Sequence, residues 1–259
     1  MLESYSKSYA KLWRKHWWWR VRHELMQQIV EERLAATSIL HTPLLLDIGC
    51  AGGLAFDELS RFGDVYGLEP DPRLVDSCPQ WRDRIEMAAF GRDYRTERKY
   101  DLVLMLDVLE HIEDDRGALD NLINLLKPGG HLILTVPALQ SLWSVHDEVN
   151  HHFRRYDRKG LHDLLINRGF EVTDLHYLFT WSLPLMYLRK LVIGSKVRLD
   201  DDYAVNIPPR PINSIFAQIS RCEQWLVRRG IRWMLGSSLL AVVRRPGSDC
   251  ITRDASQPS

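Results

Sequence analysis

The stretch Leu44-Leu45-Leu46-Asp47-Ile48-Gly49-Cys50-Ala51-Gly52-Gly53 most narrows what this chain can fold into. Its apolar run reads as a buried strand, Asp47 sits near the strand's end, and the small residues that follow mark a tight turn into a helix. Positions with little or no side chain let the main chain approach a ligand closely. Glu69 closes the next apolar run, roughly 20 residues on, where a carboxylate can accept both hydroxyls of a ribose. The two features together imply a site for an adenosine-containing ligand.

Strands and helices alternate through this half of the chain. A helix is expected over residues 8–36, which hold neither Pro nor Gly. Strands are expected at 43–49, 64–69, 84–88, 100–106 and 131–136. Helices are expected at 54–62, just after Asp71-Pro72, and at 114–126, where Lys127-Pro128-Gly129-Gly130 ends the last of them. The 101–106 run is nearly all apolar, as a strand covered on both faces should be. Such alternation predicts an α/β, doubly wound, mostly parallel sheet. After Pro137 the pattern changes. Residues 138–156 are aromatic and histidine-rich and read as a loop or short helix over one end of the sheet. A helix at 157–168, a strand at 170–179, an apolar segment at 181–193, a Pro-rich connector at 207–211, an amphipathic helix at 212–229 and a last strand at 238–243 follow. The polar tail from 246 is expected to be disordered.

Composition excludes several classes. Among 259 residues, 34 Lys and Arg balance 34 Asp and Glu, so nucleic acid is not an expected partner. Cys50, Cys78, Cys222 and Cys250 form no CxxC pair, which argues against a zinc ribbon or disulfide framework and fits a reducing cytosol. The first residues show no apolar leader core. No uncharged apolar run reaches the roughly 18 residues of a membrane span. A cytoplasmic location is expected.

Asp47-x-Gly49-x-Ala51-x-Gly53 after a strand resembles the glycine-rich motif of class I S-adenosylmethionine-dependent methyltransferases, with Ala51 where that family has its middle glycine. The spacing does not supply the GxGxxG of nicotinamide-binding folds. Tyr100-Asp101-Leu102-Val103 leading to Leu106-Asp107-Val108-Leu109-Glu110-His111-Ile112 resembles the family's fourth-strand motif, and Leu126-Lys127-Pro128-Gly129-Gly130-His131-Leu132 its turn into strand five. His152-Phe153-Arg154-Arg155-Tyr156, with His16-Trp17-Trp18-Trp19-Arg20-x-Arg22 and Gly236-Ser237-Ser238-Leu239-Leu240-Ala241, is similar to a bacterial small-molecule subgroup. The resemblance implies a seven-stranded Rossmann-like sheet whose last strand is antiparallel and inserted between strands five and six. It also implies one domain over 1–245, with an N-terminal helical cap (1–40) and a helical insertion (180–235) before the last strand.

The same resemblance assigns S-adenosyl-L-methionine as cofactor and S-adenosyl-L-homocysteine as product. Asp47 would orient the cofactor's methionine part, with Gly49, Cys50, Ala51 and Gly53 along it, Glu69 and Pro70 at the ribose, and Ala89 and Phe90 near the adenine. Phe90 could equally be ordinary core. Leu106 and Asp107 would run past the transferable methyl. Trp19 could lie over the sulfonium, since an aromatic face attracts a cation; alternatively the helix packs on the sheet with one Trp exposed. Arg22 would reach the cofactor carboxylate or form a surface salt bridge. The candidate catalytic residues are His111, His146, His152 and Tyr156. Glu110 could serve as an acid at a helix start. His146, Asp147, His151 and His152 could bind a metal only with converging ligands and support around them, so none is expected.

The activity implied is direct in-line methyl transfer to a hydroxyl, in preference to an amine or carbon, of a small-molecule or lipid-linked metabolite. A non-catalytic cofactor-binding protein of the same fold is the alternative. Residues 181–193 and 224–235 mix apolar, aromatic and basic side chains. They could make a peripheral contact with the inner face of a membrane, or else cover the sheet or form a dimer contact, so monomer and homodimer both stay open.

Overall fold

The computed structural model describes residues 3–37, 40–76, 78–193 and 207–247. Among them seven strands form one sheet: β1 (Leu44–Ile48), β2 (Asp64–Leu68), β3 (Ile85–Glu86), β4 (Tyr100–Leu106), β5 (Leu126–Pro137), β6 (Glu171–Leu178) and β7 (Ser238–Arg244). Their order is β3-β2-β1-β4-β5-β7-β6. The first five run parallel to their neighbours, while β7 is antiparallel to β5 and to β6. The chain winds outward from β1 to β3, then returns to lay β4 on the other side of β1. That reversal opens a crevice beyond the carboxyl ends of β1 and β4, where ligands of open α/β sheets bind.

Period-two alternation divides β4 between two apolar layers. Val103 and Met105 pack with Leu46, Ile48, Leu132 and Leu134 under α5 (Asp115–Leu125) and α7 (Arg158–Asn167). Leu102 and Leu104 pack with Leu45, Val65 and Ile133 against α2 (Trp17–Ala35) and α9 (Arg210–Arg228). Burying each aliphatic side chain is worth about 1.5–3 kcal/mol, which is why a strand covered on both faces carries so little polar sequence.

The helix expected over 8–36 is two helices, α1 (Glu3–Lys15) and α2, broken at His16. His16 is extended, and its Nδ1 accepts the Trp18 N–H at 3.2 Å. Asn213 of α9, itself buried, satisfies both sides of the break: its Oδ1 accepts the Trp17 N–H, and its Nδ2 donates to the Lys15 carbonyl, each at 2.9 Å. Five aromatic or imidazole rings then cover the consecutive tryptophans. Trp17 packs edge-on or tilted against Phe179, Trp181 and Phe216; Trp18 meets Phe179; Trp19 lies edge-on to His16 and Tyr9. None is exposed, because the helix is enclosed from several sides rather than lying on the sheet surface.

Other boundaries differ modestly. The helix expected at 54–62 contracts to α3 (Phe56–Leu59), and α4 (Pro72–Val75) follows Asp71. Within 138–156 the helix is α6 (Val145–Val149). The apolar segment forms α8 (Leu183–Ile193). Nearly all of the tail expected from 246 lies outside the described residues.

Candidate active site

The turn after β1 is left-handed at Gly49, Ala51, Gly52 and Gly53, with φ of 75°, 46°, 81° and 80°. At Gly49 a Cβ would stand 2.5 Å from Val108 Cγ2, so this turn packs against the segment after β4 only as glycine. Ala51 accepts a conformation that costs an ordinary residue about 1–2 kcal/mol. Its N–H donates to Glu69 Oε2 at 3.0 Å, a charge-assisted bond that offsets this. Glu69 Oε1 accepts the Asp71 N–H at 2.9 Å. The carboxylate is thus fixed between two main-chain donors at the end of β2, with burial raising its pKa against their pull. Asp47 is 7% exposed. Burial lifts its pKa to about 7, opposed by the Arg22 charge and assisted by that of Glu69.

α1 and α2 cover this crevice. Arg22 is 3% exposed, forms an ion pair with Asp107, and lies with its guanidinium 4.3 Å from the Trp18 ring centre. Its charge acts on Asp47 and also on Glu110, so it stands between the end of β1 and the turn after β4. Arg22 is therefore a buried cation and not the surface salt bridge that sequence also allowed. Tyr9 of α1 comes to the same place. Its hydroxyl accepts the Trp19 ring N–H and lies within the fields of Arg22, Glu69 and Asp47. No local motif marked Tyr9, because only the α1–α2 break brings it over the strand ends.

Beyond β4 the chain turns at Asp107, φ 54°. The Asp107 N–H donates to the Thr135 carbonyl at 2.9 Å, and Thr135 Oγ1 donates to Asp107 Oδ1 at 3.2 Å. The 3-10 turn Leu109–His111 then buries Glu110, 1% exposed, whose Oε2 has no hydrogen-bond partner. Burial raises the Glu110 pKa to about 8. Glu110, His111 and His152 converge, with one potential ligand atom from each lying within 4.8 Å of the others. The His111 and His152 rings are 4.6 Å apart, edge to face. His152 Nδ1 is 2.9 Å from Asp147 Oδ1. Asp147, fully buried, also accepts two bonds from Arg155, at 2.8 and 2.9 Å, and the Ser144 N–H at 2.9 Å. An ionised carboxylate only accepts, so His152 carries its proton on Nδ1 and Nε2 is the nitrogen left to act.

A family described as "Methyltransferase domain" matches residues 18–175. The chain belongs to this methyltransferase family. Among curated relatives, a ubiquinone biosynthesis O-methyltransferase of Cereibacter sphaeroides (strain ATCC 17025 / ATH 2.4.3) is 32% identical over 145 residues, 48% of this chain and 58% of the relative. One of Rhodopseudomonas palustris (strain TIE-1) is 29% identical over 119 residues, 44% of this chain and 46% of the relative. The chain thus spans about half the length of the curated relatives it matches. Among solved structures, the N-methyltransferase NodS of Bradyrhizobium japonicum WM9 with S-adenosyl-L-homocysteine aligns at TM-score 0.52 and 18% identity, over 88% of this chain and 87% of that one. The [4+2]-cyclase SpnF aligns at 0.51 and 16%, over 86% and 81%. These structures show the fold, and the cyclase shows that the methyltransferase fold alone does not fix a reaction.

The family's cofactor is S-adenosyl-L-methionine, and the residues present fit it. The left-handed turn exposes main chain at the rim of β1. Glu69 would take the ribose, and Asp47 and Arg22 would meet the two charged ends of the cofactor's amino acid. Leu106 and Asp107 would run past its methyl end. The remaining expected positions differ in burial and partners. Cys50 is buried, its pKa pushed up by burial and by Asp47 and Glu69, so its thiol is packing. Pro70 and Ala89 are exposed. Phe90 is 8% exposed in the core beside Tyr94. His146 is bonded to Asn150, the residue just past the end of its helix, with ring centres 6.2 Å from His152. Tyr156 is the clear correction to the catalytic set. Its buried hydroxyl donates to Asp115 Oδ2 at 3.0 Å, and its main chain bridges Ala138. A hydroxyl already committed to a buried carboxylate fastens the segment and has no proton to exchange with an acceptor.

Proposed function

We propose that the chain transfers the methyl group of S-adenosyl-L-methionine to a hydroxyl oxygen of a small or lipid-linked acceptor. The observation that carries this reading is the His152–Asp147 pair beside Glu110 and His111, just past the strand end where the methyl would lie. The bound cofactor supplies a methyl carbon activated on a sulfonium. As the acceptor oxygen took the methyl, the electron pair of the broken carbon–sulfur bond would stay with sulfur, and the acceptor's hydroxyl proton would go to His152 Nε2. Asp147 fixes the imidazole's tautomer, with the proton on Nδ1 and Nε2 free to accept. Arg155, bound bidentately, keeps Asp147 in place. Trp19, Tyr9 and Arg22 close the crevice against water, and the main chain at Leu106–Asp107 sets the line of approach.

An apolar acceptor is supported by α8. This helix lies against the loop before α6 through Tyr187 Oη to Ser141 Oγ, 2.6 Å, and Lys190 Nζ to the Ser141 carbonyl, 2.7 Å. It presents Leu185, Leu188, Leu191 and Val192 to solvent. No described helix is long and apolar enough to cross a membrane, so a contact with lipid through this face would be peripheral. The O-methyltransferase relatives support oxygen as the atom methylated.

The test is incubation with methyl-labelled cofactor and cell extract, following S-adenosyl-L-homocysteine and partitioning the label between organic and aqueous phases. Organic label that is stable to base and lost in His152→Ala supports O-methylation of a lipid-linked acceptor. Cofactor binding with no S-adenosyl-L-homocysteine formed in any extract would instead support a non-catalytic binding protein.

A further inference from the structure

We propose that Glu110, His111 and His152 form a binding site for one divalent transition-metal ion. Three observations carry this. First, their ligand atoms already lie within 4.8 Å of one another, although they come from two segments about 40 residues apart in sequence. Closing to the roughly 3.4 Å separation of donors on a tetrahedral ion takes only small side-chain rotations. Second, Glu110 is 1% exposed and its Oε2 has no hydrogen-bond partner. A buried carboxylate oxygen is ordinarily satisfied, and an ion is among the usual reasons when one is not. Third, His152 is held from behind. Asp147 bonds its Nδ1 at 2.9 Å, and the His111 ring lies edge to face against its other side, 4.6 Å between centres. Metal-ligating histidines are oriented by such bonds to a carboxylate or main chain, and those partners rank with the ligands in importance.

The composition selects the class of ion. Two imidazoles and one carboxylate suit Zn2+, Fe2+ or Mn2+, whereas Mg2+ and Ca2+ prefer all-oxygen sets. Exposure is graded, with Glu110 buried, His152 intermediate and His111 exposed. Three protein ligands facing an open side make a site of the catalytic kind, with room for an outside ligand. On the reading that this chain methylates a hydroxyl, which this step rests on, that ligand is the acceptor oxygen. With the ion bound, the acceptor's lowered proton affinity lets its proton leave to solvent past His111 while His152 Nε2 is a ligand; in the metal-free protein the same nitrogen is the one that takes the proton.

The test uses the full chain without an affinity tag, stripped with EDTA, and with Cys222 and Cys250 replaced by Ser so that thiols contribute no signal. Co2+ is titrated and read by its visible absorption, and Zn2+ by calorimetry. One equivalent is expected per chain. Glu110→Gln and His152→Ala should each weaken uptake at least tenfold, and Asp147→Asn by about 10–100-fold. His162→Ala, on α7 and outside the trio, should leave it unchanged. S-adenosyl-L-homocysteine binding checks that each variant is folded. Absence of stoichiometric uptake at micromolar metal, or full uptake by both Glu110→Gln and His152→Ala, overturns the site. Methyl transfer that persists in EDTA without uptake sinks the site and leaves the proposed function standing. Uptake without transfer to any acceptor leaves the site and sinks the function.

Discussion

Asp147 and His152 meet at 2.9 Å, carboxylate to Nδ1, inside the segment that follows β5. Burial alone would raise the Asp147 pKa, but His152 and Arg155 outweigh it and hold the carboxyl well below its usual range. Asp147 therefore contributes stability that is present above the unfolded carboxylate pKa, near 3.9, and is lost as pH falls below it. Asp147→Ala would strand Arg155, whose side chain is 5% exposed, as a buried unpaired cation. The expected loss is about 3–5 kcal/mol, measured by urea unfolding at pH 7. The gap between mutant and wild type should narrow in melts run below pH 4, and a gap independent of pH would show that Asp147 acts through packing alone.

Glu69 bonds the Ala51 and Asp71 main chain while facing the expected ribose. Glu69→Ala should weaken S-adenosyl-L-homocysteine binding by about 1.5–3 kcal/mol, the worth of hydrogen bonds to a charged group. Glu69→Gln keeps one acceptor oxygen and should lose less. Calorimetric titration of both variants decides, and equal affinity across all three proteins would take Glu69 out of the site.

The individual strands and the glycine turn after the first were legible because their signals are local, whereas the order of the sheet, with its last strand antiparallel between the fifth and sixth, followed only from the family resemblance. Strand period, the glycine turn and an acid at the next strand end lie within about 25 consecutive residues, from Leu44 to Glu69. The lid was not legible. Asn213 closes the α1–α2 break from 196 positions away, and only that break carries Tyr9 over Asp47. Nor could sequence separate the histidines. His146 and His152 sit on one stretch, yet the partner that matters to His152 is Asp147 on one side and the distant Glu110–His111 turn on the other. Tyr156 matched the resemblance in position, but its hydroxyl is used by Asp115, a contact no spacing rule predicts.

Asp47 should set the pH dependence of cofactor binding. Its ordinary pKa of 3.8 is raised to about 7, by burial first, with Arg22 opposing and Glu69 assisting. In the free protein the unfolded chain gives up this proton near pH 4 and the folded chain near pH 7. Asp47 therefore takes stability away as pH rises across that window. A cofactor ammonium placed beside it favours the ionised form, so binding below pH 7 releases a proton. Affinity for S-adenosyl-L-homocysteine should climb as pH goes from about 5.5 to 7 and level off above. Calorimetry in two buffers of different ionisation heat reads the proton directly. Asp47→Asn should flatten the profile, and a flat wild-type profile would place the ammonium elsewhere.

Tyr156 separates fastening from chemistry. Tyr156→Phe keeps the ring, 7% exposed in the core, and deletes only the O–H that donates to Asp115. Arg154 still pairs with Asp115 at 2.7 Å, so the carboxylate is not left bare and the cost should be about 1.5 kcal/mol, read as a lower urea midpoint with unchanged slope. Cofactor affinity and kcat should stay at wild-type values, because the hydroxyl touches neither the strand ends nor the Glu110–His111–His152 group. The contrast is His152→Ala, where turnover should fall at least a hundredfold with cofactor affinity unchanged. A Tyr156→Phe protein that unfolds like wild type but turns over tenfold more slowly would return the hydroxyl to catalysis, and the Asp115 bond would then be its resting state.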